Sequence, residues 1–359
     1  MNRFEHTRGL MREAVFEGVF PGAVLLVAVR GEVALHEAYG MRQLLPEPVP
    51  ASTDTIYDLA SLTKALATGL SLGVLAAEKR LAFDARLADF LPAPPDKAAV
   101  TVRELASHCS GLPAWRPYFH RLMGVPAAER RGMLTSLALE EPLGSPPGTV
   151  ARYSDPGYVL LGAVVERAAG ERLDRFAAER IYRPLGLGLH FRPQGEPSPQ
   201  GAVAATEECS LRGRLLAGEV HDETCWAVGG VCGHAGLFGT AADVAELALH
   251  LRAVVRGQAD GPVPAKVLQR LLARRRAPRG TTWGLGFDHP NRVGSSAGRL
   301  LSRRSVGHLG FTGCSFWLDL EHDLLVVLLS NRVHPTRANE VIKRFRPRLH
   351  EAAFKEALR

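Results

Sequence analysis

The sequence predicts an α/β (α+β) protein in which strands from both ends of the chain meet in one sheet. Three observations predict this class. An apolar run at residues 23–29 follows a helical pattern near the start, and two strand patterns, at 315–320 and 324–329, lie near the end. Between them, helical patterns alternate with connectors rich in proline and glycine. We therefore expect a sheet region interrupted by a large, mainly helical insertion, with a cleft between the two.

The N-terminal elements are a helix followed by two strands. Apolar residues at helical spacing predict a helix over 3–17, which a Pro-Gly pair separates from the buried strand at 23–29. Arg30-Gly31-Glu32 predicts a hairpin turn into a second strand over 33–40. An alanine- and leucine-rich helix follows, from Leu59 to about Lys79.

The C-terminal elements are strands and a closing helix. Strand patterns occur at Thr281–Asp288, Val306–Gly310, Ser315–Leu320 and Leu324–Leu329, and Glu321-His322-Asp323 forms the turn between the last two. A helical pattern over about 336–358 ends the chain. The sheet is thus expected to lie between helices from the two termini.

Length and composition are those of a globular chain. The 359 residues correspond to about two domains at roughly 150 residues each, which excludes a small scaffold that depends on disulfides. Hydrophobic residues make up 46% and charged residues 23%, and no apolar run approaches the roughly 18 residues that a membrane span needs. We expect a sheet region formed by residues 1–75 and 275–359 and a helical region formed by 76–274.

The charge distribution argues against a nucleic-acid partner. The formal net charge is +7, spread along the chain except for Arg274-Arg275-Arg276 followed by Arg279. No aromatic residues or nucleic-acid motif accompany this run, so a solvated loop is favoured over phosphate binding. We expect neither a nucleic-acid nor a membrane partner, and the oligomeric state stays open.

The first residues and the cysteines favour the cytoplasm. Residues 1–8 lack the apolar core of a secretory signal. The five cysteines are an odd number at irregular spacing, which favours free thiols. His221, Cys225, Cys232 and His234 have zinc-binding side chains, but their spacing fits no common zinc pattern. We therefore expect no metal.

One short motif at the start of the alanine-rich helix carries a candidate nucleophile. Ser61 and Lys64 are three residues apart, so they share a helix face and can form a hydrogen bond. A desolvated lysine amine can take the proton of a serine hydroxyl, and the helix N-terminus adds N–H groups for an oxyanion. By itself, Ser-x-x-Lys also fits an ordinary helix start.

Two further segments accompany this motif. Tyr153-Ser154-Asp155 precedes a helical pattern, and His308-Leu309-Gly310 leads into a strand pair. Together with Ser61-Leu62-Thr63-Lys64 they resemble the signature of the serine β-lactamase and penicillin-binding-protein superfamily. The resemblance is to its class C-like branch, which includes D-amino-acid peptidases and family VIII esterases.

The resemblance covers nearly the whole chain. Segments 105–113 and 220–238 are similar to segments common in that branch, and the order of all five elements holds from about residue 20 to 335. It implies a β-lactamase-like fold: an antiparallel sheet flanked by terminal helices, with a large helical insertion. It also implies a mechanism that needs no cofactor.

The resemblance implies roles for four residues. Ser61 would be the acylated nucleophile and Lys64 its proton partner. Tyr153 would be the second acid or base, its phenolate favoured by the Lys64 ammonium; a core tyrosine is the alternative. The backbone N–H groups of Ser61 and Phe311 would form the oxyanion hole.

Two positions depart from the usual residues of the family. Asp155 replaces an asparagine, and a carboxylate can accept from Lys64 but cannot donate an N–H to substrate. With Pro156 it equally fits a helix N-cap and first-turn pair. His308 stands where many β-lactamases have lysine, so it would move a proton or orient the substrate rather than hold a carboxylate. Gly310 would keep its strand open for a substrate backbone.

Four more polar residues are candidates for contact with substrate. His221 and Asp222 either shape the cleft, together with His234, or make structural hydrogen bonds. Asn331 and Arg332 follow the last strand pattern and either contact a substrate carboxylate or form a solvated strand end.

These observations predict a serine hydrolase that acts through a Ser61 acyl-enzyme on small ester, amide or β-lactam substrates. Esterase or D-residue peptidase activity is favoured over a dedicated β-lactamase because of His308 and the expected cytoplasmic location. A non-catalytic binding or scaffold protein that retains the fold is the alternative. The set of Ser61, Lys64 and Tyr153 argues against this alternative, whereas Asp155 argues for it.

Overall fold

The computed structural model describes residues 3–197, 202–291 and 293–359. Parts of both predicted regions lie outside the described residues: 1–2 and 292 in the sheet region, and 198–201 in the helical region. Residues 1 and 2 also belong to the segment that was searched for a secretory signal. In the described part of the chain, no helix is long and apolar enough to cross a membrane.

The strands fall into three groups: one near the start of the chain, one in the middle and one near the end. They are β1 Gly22–Val29, β2 Glu32–Gln43, β3 Val49–Pro50, β4 Tyr57–Asp58, β5 His190–Phe191, β6 Ala205–Cys209, β7 Arg214–Ala217, β8 Leu237–Gly239, β9 Ser305–Leu309, β10 Ser315–Asp319 and β11 Leu324–Ser330. The main sheet has six strands in the order β3-β2-β1-β11-β10-β9, and all neighbours are antiparallel. The prediction of one sheet with strands from both ends is confirmed.

The helices lie on both faces of this sheet and in the segment between its two halves. They are α1 Glu5–Phe16, α2 Leu70–Ala77, α3 Val102–Ala106, α4 Phe119–Leu122, α5 Arg130–Glu140, α6 Asp155–Ala169, α7 Leu173–Ala177, α8 Glu223–Ala227, α9 Ala241–Val255, α10 Ala265–Leu272 and α11 Ile342–Ala357. A π-helical turn, Lys64–Gly69, leads directly into α2.

The central strands β1 and β11 are buried on both faces, which explains their continuous apolar sequences. In β1, Val24 and Leu26 pack into the core shared with the helical segment, whereas Leu25 and Val27 pack into a second core. Burying a side chain of this size contributes about 1.5–3 kcal/mol. The second core is formed with α1 and α11, so the two terminal helices cover the outer face, as the sequence predicts.

Two element predictions are wrong in part. Thr281–Asp288 is not a strand: it makes one isolated bridge, Asp288 to Gly307, and its amides bond elsewhere, with Leu285 N–H donating to Leu271 O at 2.9 Å. Gly286 has a φ of +98°, which interrupts an extended strand. The closing helix begins at Ile342 rather than near 336.

The short strands of the middle segment were not predicted. A three-stranded sheet has the order β4-β8-β5, and β6 pairs with β7 in a hairpin. The strands β4, β5 and β8 have only two or three residues, which is too short for a period-two pattern to emerge. They matter because β4 leads directly into the segment that carries Ser61.

Candidate active site

Ser61 lies half-buried at the start of the helix that continues as the π-helical turn and α2. The preceding Ala60 has a φ of +47°, a conformation that non-glycine residues rarely adopt. Two contacts hold it: the Ala60 N–H donates to Asp58 Oδ1 at 2.8 Å, and the Thr63 hydroxyl donates to Ala60 O at 2.6 Å. The other oxygen of Asp58 accepts from the His221 N–H at 2.7 Å. The chain entering Ser61 is therefore tightly constrained.

Lys64 is fully buried and its ammonium faces three acceptors. Its Nζ lies 2.9 Å from Ser61 Oγ, 2.9 Å from His234 O and 2.7 Å from Asp155 Oδ1. Burial lowers the pKa of Lys64, but the negative charge of Asp155 and the contact with Tyr153 outweigh it, so the net pKa is raised. Lys64 is thus a charged group in the resting site.

Tyr153 is held among aromatic rings with its hydroxyl in reach of Lys64 and Ser61. Its ring centroid is 4.6 Å from that of His108, 5.6 Å from Trp283 and 6.2 Å from His308. Burial raises the pKa of Tyr153, and the Lys64 ammonium offsets only part of this effect. The expected phenolate is therefore not the favoured resting form.

The helix-cap interpretation of Asp155 is wrong. The N-cap of α6 is Ser154, whose hydroxyl accepts from the Gly157 N–H at 3.1 Å, and Asp155 is the first helical residue. The serine one position earlier takes the cap, which leaves the Asp155 carboxylate free to form its ion pair with Lys64.

His308 lies on β9 beside the cavity with a defined tautomer. Its Nδ1–H donates to Leu309 O at 2.8 Å, so Nε2 is the unprotonated nitrogen. Burial, aided by the Lys64 charge, lowers the pKa of His308 to about 3. His308 is therefore a neutral hydrogen-bond acceptor at physiological pH, which fits orientation of a partner better than proton transfer.

The backbone amides of Ser61 and Phe311 remain available at the cavity. In the described part of the chain, neither N–H donates to a protein acceptor. The two segments meet closely, since a Cβ added to Gly310 would lie 2.7 Å from Leu59 O. This contact requires glycine at 310, and both Ser61 and Phe311 line the cavity.

The cavity has a volume of about 550 Å³ and contains most of the predicted site residues. Ser61, Tyr153, Asp155, His221, Asp222, Gly310, Phe311 and Arg332 line it. Lys64 and His308 are buried next to it: Lys64 contacts Ser61 and Asp155, and His308 contacts Tyr153. A space of this size is typical of a small-molecule site.

The side chain of Phe311 is 49% exposed and lies between two polar groups. The His221 ring stacks on it with centroids 5.8 Å apart, and the Arg332 guanidinium lies 4.3 Å from its centroid. Arg332 Nε also donates to Phe311 O at 2.7 Å, and its Nη1 donates to Arg337 O and Asn339 O. Arg332 therefore anchors the loop that carries the Phe311 amide.

Asn331 is the one predicted site residue that the structure places away from the cavity. Its Oδ1 accepts from the Gly22 N–H at 3.1 Å, and its Nδ2 donates to Met41 O and Arg42 O. It is 1% exposed, so it is neither a substrate contact nor a solvated strand end. It ties the end of β11 to β1 and β2.

Asp222 and His234 form a buried pair behind Lys64. Asp222 caps α8 through the Cys225 N–H, and His234 Nε2 lies 2.9 Å from Asp222 Oδ1. Burial disfavours the charged form of both groups, but the attraction between them is stronger than this effect. The pKa of His234 is therefore raised and the pKa of Asp222 is lowered. Among the described residues, no group of three or more His, Cys, Asp or Glu side chains is placed to hold a metal ion.

Three residues at the site were not predicted to belong to it. Trp283 packs on Tyr153 from the segment that was expected to be a strand. His108 has a φ of +57° and accepts the Ser154 N–H through Nδ1 at 3.0 Å. Trp115 is 49% exposed at the cavity wall. No local sequence signal marks the tryptophans, whereas His108 lies within segment 105–113, which resembles the family.

Comparison with known proteins identifies the family of the chain. The family described as Beta-lactamase matches residues 7–349. A protein of Escherichia coli (strain K12) named "Putative D-alanyl-D-alanine carboxypeptidase" is 32% identical over 351 residues, covering 88% of this chain and 79% of that protein. A protein of the same name from Salmonella paratyphi A is 31% identical, covering 89% and 81%.

Solved structures support the same fold. "EstCE1, a hydrolase with promiscuous acyltransferase activity" is 22% identical with a TM-score of 0.76, covering 98% of each chain. The octameric penicillin-binding protein homologue from Pyrococcus abyssi is 22% identical with a TM-score of 0.71, covering 91% of this chain and 73% of its own. The β-lactamase-like fold that the motifs predict is confirmed.

Proposed function

The chain belongs to the beta-lactamase family of serine hydrolases, and on that premise we propose that it cleaves small esters or amides through an acyl-enzyme at Ser61. The observation that carries the proposal is the position of Lys64 Nζ, 2.9 Å from Ser61 Oγ and buried beside a cavity of about 550 Å³. A hydroxyl beside a buried cation that exchanges protons is an activated nucleophile.

The reaction proceeds by two acyl transfers. Ser61 Oγ attacks the carbonyl carbon while its proton moves to Lys64, whose ammonium must first release a proton, and the N–H groups of Ser61 and Phe311 stabilise the oxyanion. The tetrahedral intermediate then expels the leaving group, which takes a proton from Lys64. Water repeats the sequence on the acyl-enzyme and releases the acid. His308 Nε2 accepts a hydrogen bond during these steps and holds Tyr153 or the substrate in place.

Esters and D-residue amides are the substrates that the site favours over β-lactams. A neutral His308 cannot hold the carboxylate that a β-lactam presents, which argues against a dedicated β-lactamase. The Escherichia coli relative carries the name of a D-alanyl-D-alanine carboxypeptidase, which makes a D-alanyl peptide the first amide to test. The exposed rings of Trp115 and Phe311 offer apolar contacts to an acyl or leaving group.

The cytoplasm is the proposed location. The five cysteines are buried free thiols, a state that a reducing compartment maintains. Fractionation of cells expressing the full natural gene, with blotting of the cytoplasmic and periplasmic fractions, tests this part of the proposal.

Intact-mass spectrometry tests the acyl-enzyme directly. The protein and a Ser61→Ala variant are incubated with a fluorophosphonate, a penicillin, a short-chain p-nitrophenyl ester and a D-alanyl-D-alanine peptide, and turnover of each substrate is followed alongside. A mass increase that Ser61→Ala removes, together with ester or peptide turnover, supports the proposal and ranks the acyl donors. A folded protein that forms no adduct with any probe would favour the non-catalytic scaffold instead.

A further inference from the structure

The destination of the Ser61 proton follows from the contacts around Lys64, and this inference rests on the proposed function. An acylation base must hold a free electron pair when the substrate arrives. Lys64 Nζ lies 2.7–2.9 Å from three oxygen atoms, and its raised pKa keeps it an ammonium. In this state its nitrogen has no free electron pair for the Ser61 proton.

The other groups that touch the reacting hydroxyl do not supply a base. Tyr153 reaches Ser61, but burial keeps it a protonated phenol. His308 has an unprotonated Nε2, but it is a weak base in this environment and contacts the Tyr153 ring rather than Ser61. His108 uses Nδ1 to accept the Ser154 N–H. The nearest anion connected to Ser61 is therefore the Asp155 carboxylate, on the far side of Lys64.

We propose that Asp155 is the proton acceptor for acylation and acts through Lys64. Asp155 Oδ1 forms an ion pair with Lys64 Nζ at 2.7 Å; an N–H bond of the ammonium breaks and an O–H bond forms on the carboxylate, which leaves Lys64 as a neutral amine. Rotation about the Cε–Nζ bond turns the vacated electron pair to Ser61 Oγ, 2.9 Å away. The Ser61 O–H bond then breaks as the new N–H bond and the bond from Oγ to the acyl carbon form.

The charge balance of this step is favourable in a buried site. Lys64 and Asp155 begin as an ammonium and a carboxylate. The proton transfer turns them into an amine and a carboxylic acid, so the net charge of the two groups stays zero before Ser61 reacts. After attack, the pair has gained the one proton that Ser61 lost, and its positive charge balances the oxyanion. On collapse of the tetrahedral intermediate, the leaving group takes one proton from Lys64 and the pair returns to its first state.

The surroundings of Asp155 fit this role. Its side chain is 21% exposed, against 0% for Lys64. Transfer of a proton from Lys64 leaves both groups neutral, so it creates no buried charge. On its own helix Ser154 is the cap, and the acidic groups Asp222 and Glu223 of the cavity lining are already paired, with His234 and Arg337 respectively. The cations Arg332, Arg346 and Lys343 also line the cavity. Lys64 is the cation that lies within 4 Å of Asp155 among the described residues.

The test is the pH dependence of ester hydrolysis by wild type and Asp155→Asn. kcat/KM for a p-nitrophenyl ester is measured from pH 4.5 to 9.5, with the Ser61→Ala rate subtracted as background. In the wild type, Asp155 takes a proton from Lys64, so Lys64 need not lose a proton to solvent before Ser61 reacts. In Asp155→Asn, Lys64 itself must lose a proton, so the acid limb moves to higher pH. We expect kcat/KM at pH 6 to fall at least about tenfold, with recovery towards wild type at pH 9.

Two variants control for indirect effects. Asp155→Glu keeps a carboxylate and should keep the acid limb of the wild type, even if its rate is lower. Glu166→Gln makes the same carboxylate-to-amide change on the same helix, at a residue that pairs with Arg131 away from the cavity, and should leave the profile unchanged. Near-UV circular dichroism checks that each variant is folded.

A measurement on the wild type keeps the inference testable if Asp155→Asn does not fold. Acylation rates in mixtures of H₂O and D₂O should give a curved proton inventory, because two protons move: Ser61 to Lys64, and Lys64 to Asp155. A linear inventory, or an Asp155→Asn acid limb that stays in place or moves to lower pH, would overturn the role of Asp155 and leave the Ser61 acyl-enzyme intact. Absence of any Ser61 adduct would overturn both.

Discussion

Gly233→Ala tests the packing that places the backbone acceptor of Lys64. Gly233 lies against α6, where a Cβ at 233 would be 2.1 Å from Tyr158 O and 2.8 Å from Gly162 N. The obstructing atoms are helix backbone, so no side chain can rotate away. The next residue, His234, supplies the carbonyl that Lys64 contacts at 2.9 Å.

The expected cost follows from these distances. A carbon normally lies about 3.3–3.6 Å from a carbonyl oxygen, so the loop at 233 must retreat from α6 by about 1 Å. Overpacking of a core typically costs about 1–3 kcal/mol, and here backbone must move on at least one side, so we expect about 3 kcal/mol or more. The displaced His234 carbonyl also weakens the hold on Lys64, which should lower kcat of the remaining folded enzyme.

Urea unfolding followed by tryptophan fluorescence measures the stability, and ester turnover measures the activity. Gly132→Ala is the matched control: Gly132 is exposed in α5 with nothing within 4 Å of an added Cβ. Alanine there should stabilise the helix by about 0.5–1 kcal/mol through backbone entropy. A Gly233→Ala protein within about 0.5 kcal/mol of wild type, the range of an ordinary surface change, would refute this account of the contact between the loop and α6.

Two further predictions concern charged groups. Burial raises the pKa of Glu207, but His221 and Arg337 outweigh it and lower it to about 2. The stability that ionised Glu207 contributes is present above the pKa of the unfolded state and is lost as pH falls from about 4.5 to 2. Glu207→Gln should therefore lower the free energy of unfolding, measured in urea, by about 2–3 kcal/mol at pH 7 and by much less at pH 2.5. Equal losses at both pH values would contradict the lowered pKa of Glu207. His308→Lys should raise the ratio of kcat/KM for carboxylate-bearing over neutral esters by about tenfold, through a charge-assisted hydrogen bond. An unchanged ratio would show that residue 308 does not face the substrate carboxylate.

Hydrophobic patterning predicted the sheet and its terminal helices because those elements are long and their burial is uniform. The apolar runs of β1 and β11 follow from helices covering both faces of the sheet. The strand prediction for Thr281–Asp288 is wrong because this segment is a loop that turns at Gly286. Its alternating apolar side chains are buried there without a neighbouring strand along the segment. Pattern alone cannot distinguish these two forms of burial.

The motifs predicted the candidate site because the chemistry of an activated serine requires specific residues at short spacing. Ser61 and Lys64 share a helix start, so their contact is local and visible in the sequence. Tyr153 and Gly310 could be included only through the resemblance of the whole pattern to a family. Their proposed roles still await the kinetic measurements above.

The sequence by itself determined the fold class, the family and the chemical types gathered at the cavity. Only the tertiary structure decided how those types are paired: Ser154 rather than Asp155 caps α6, Asn331 ties strands together, and Arg332 anchors a loop. The physical reason is that protonation and hydrogen bonding depend on distances of a few ångströms between residues far apart in the chain. Lys64 and Asp155 are separated by about ninety residues in the sequence and by 2.7 Å in the fold, and that distance determines where a proton can go.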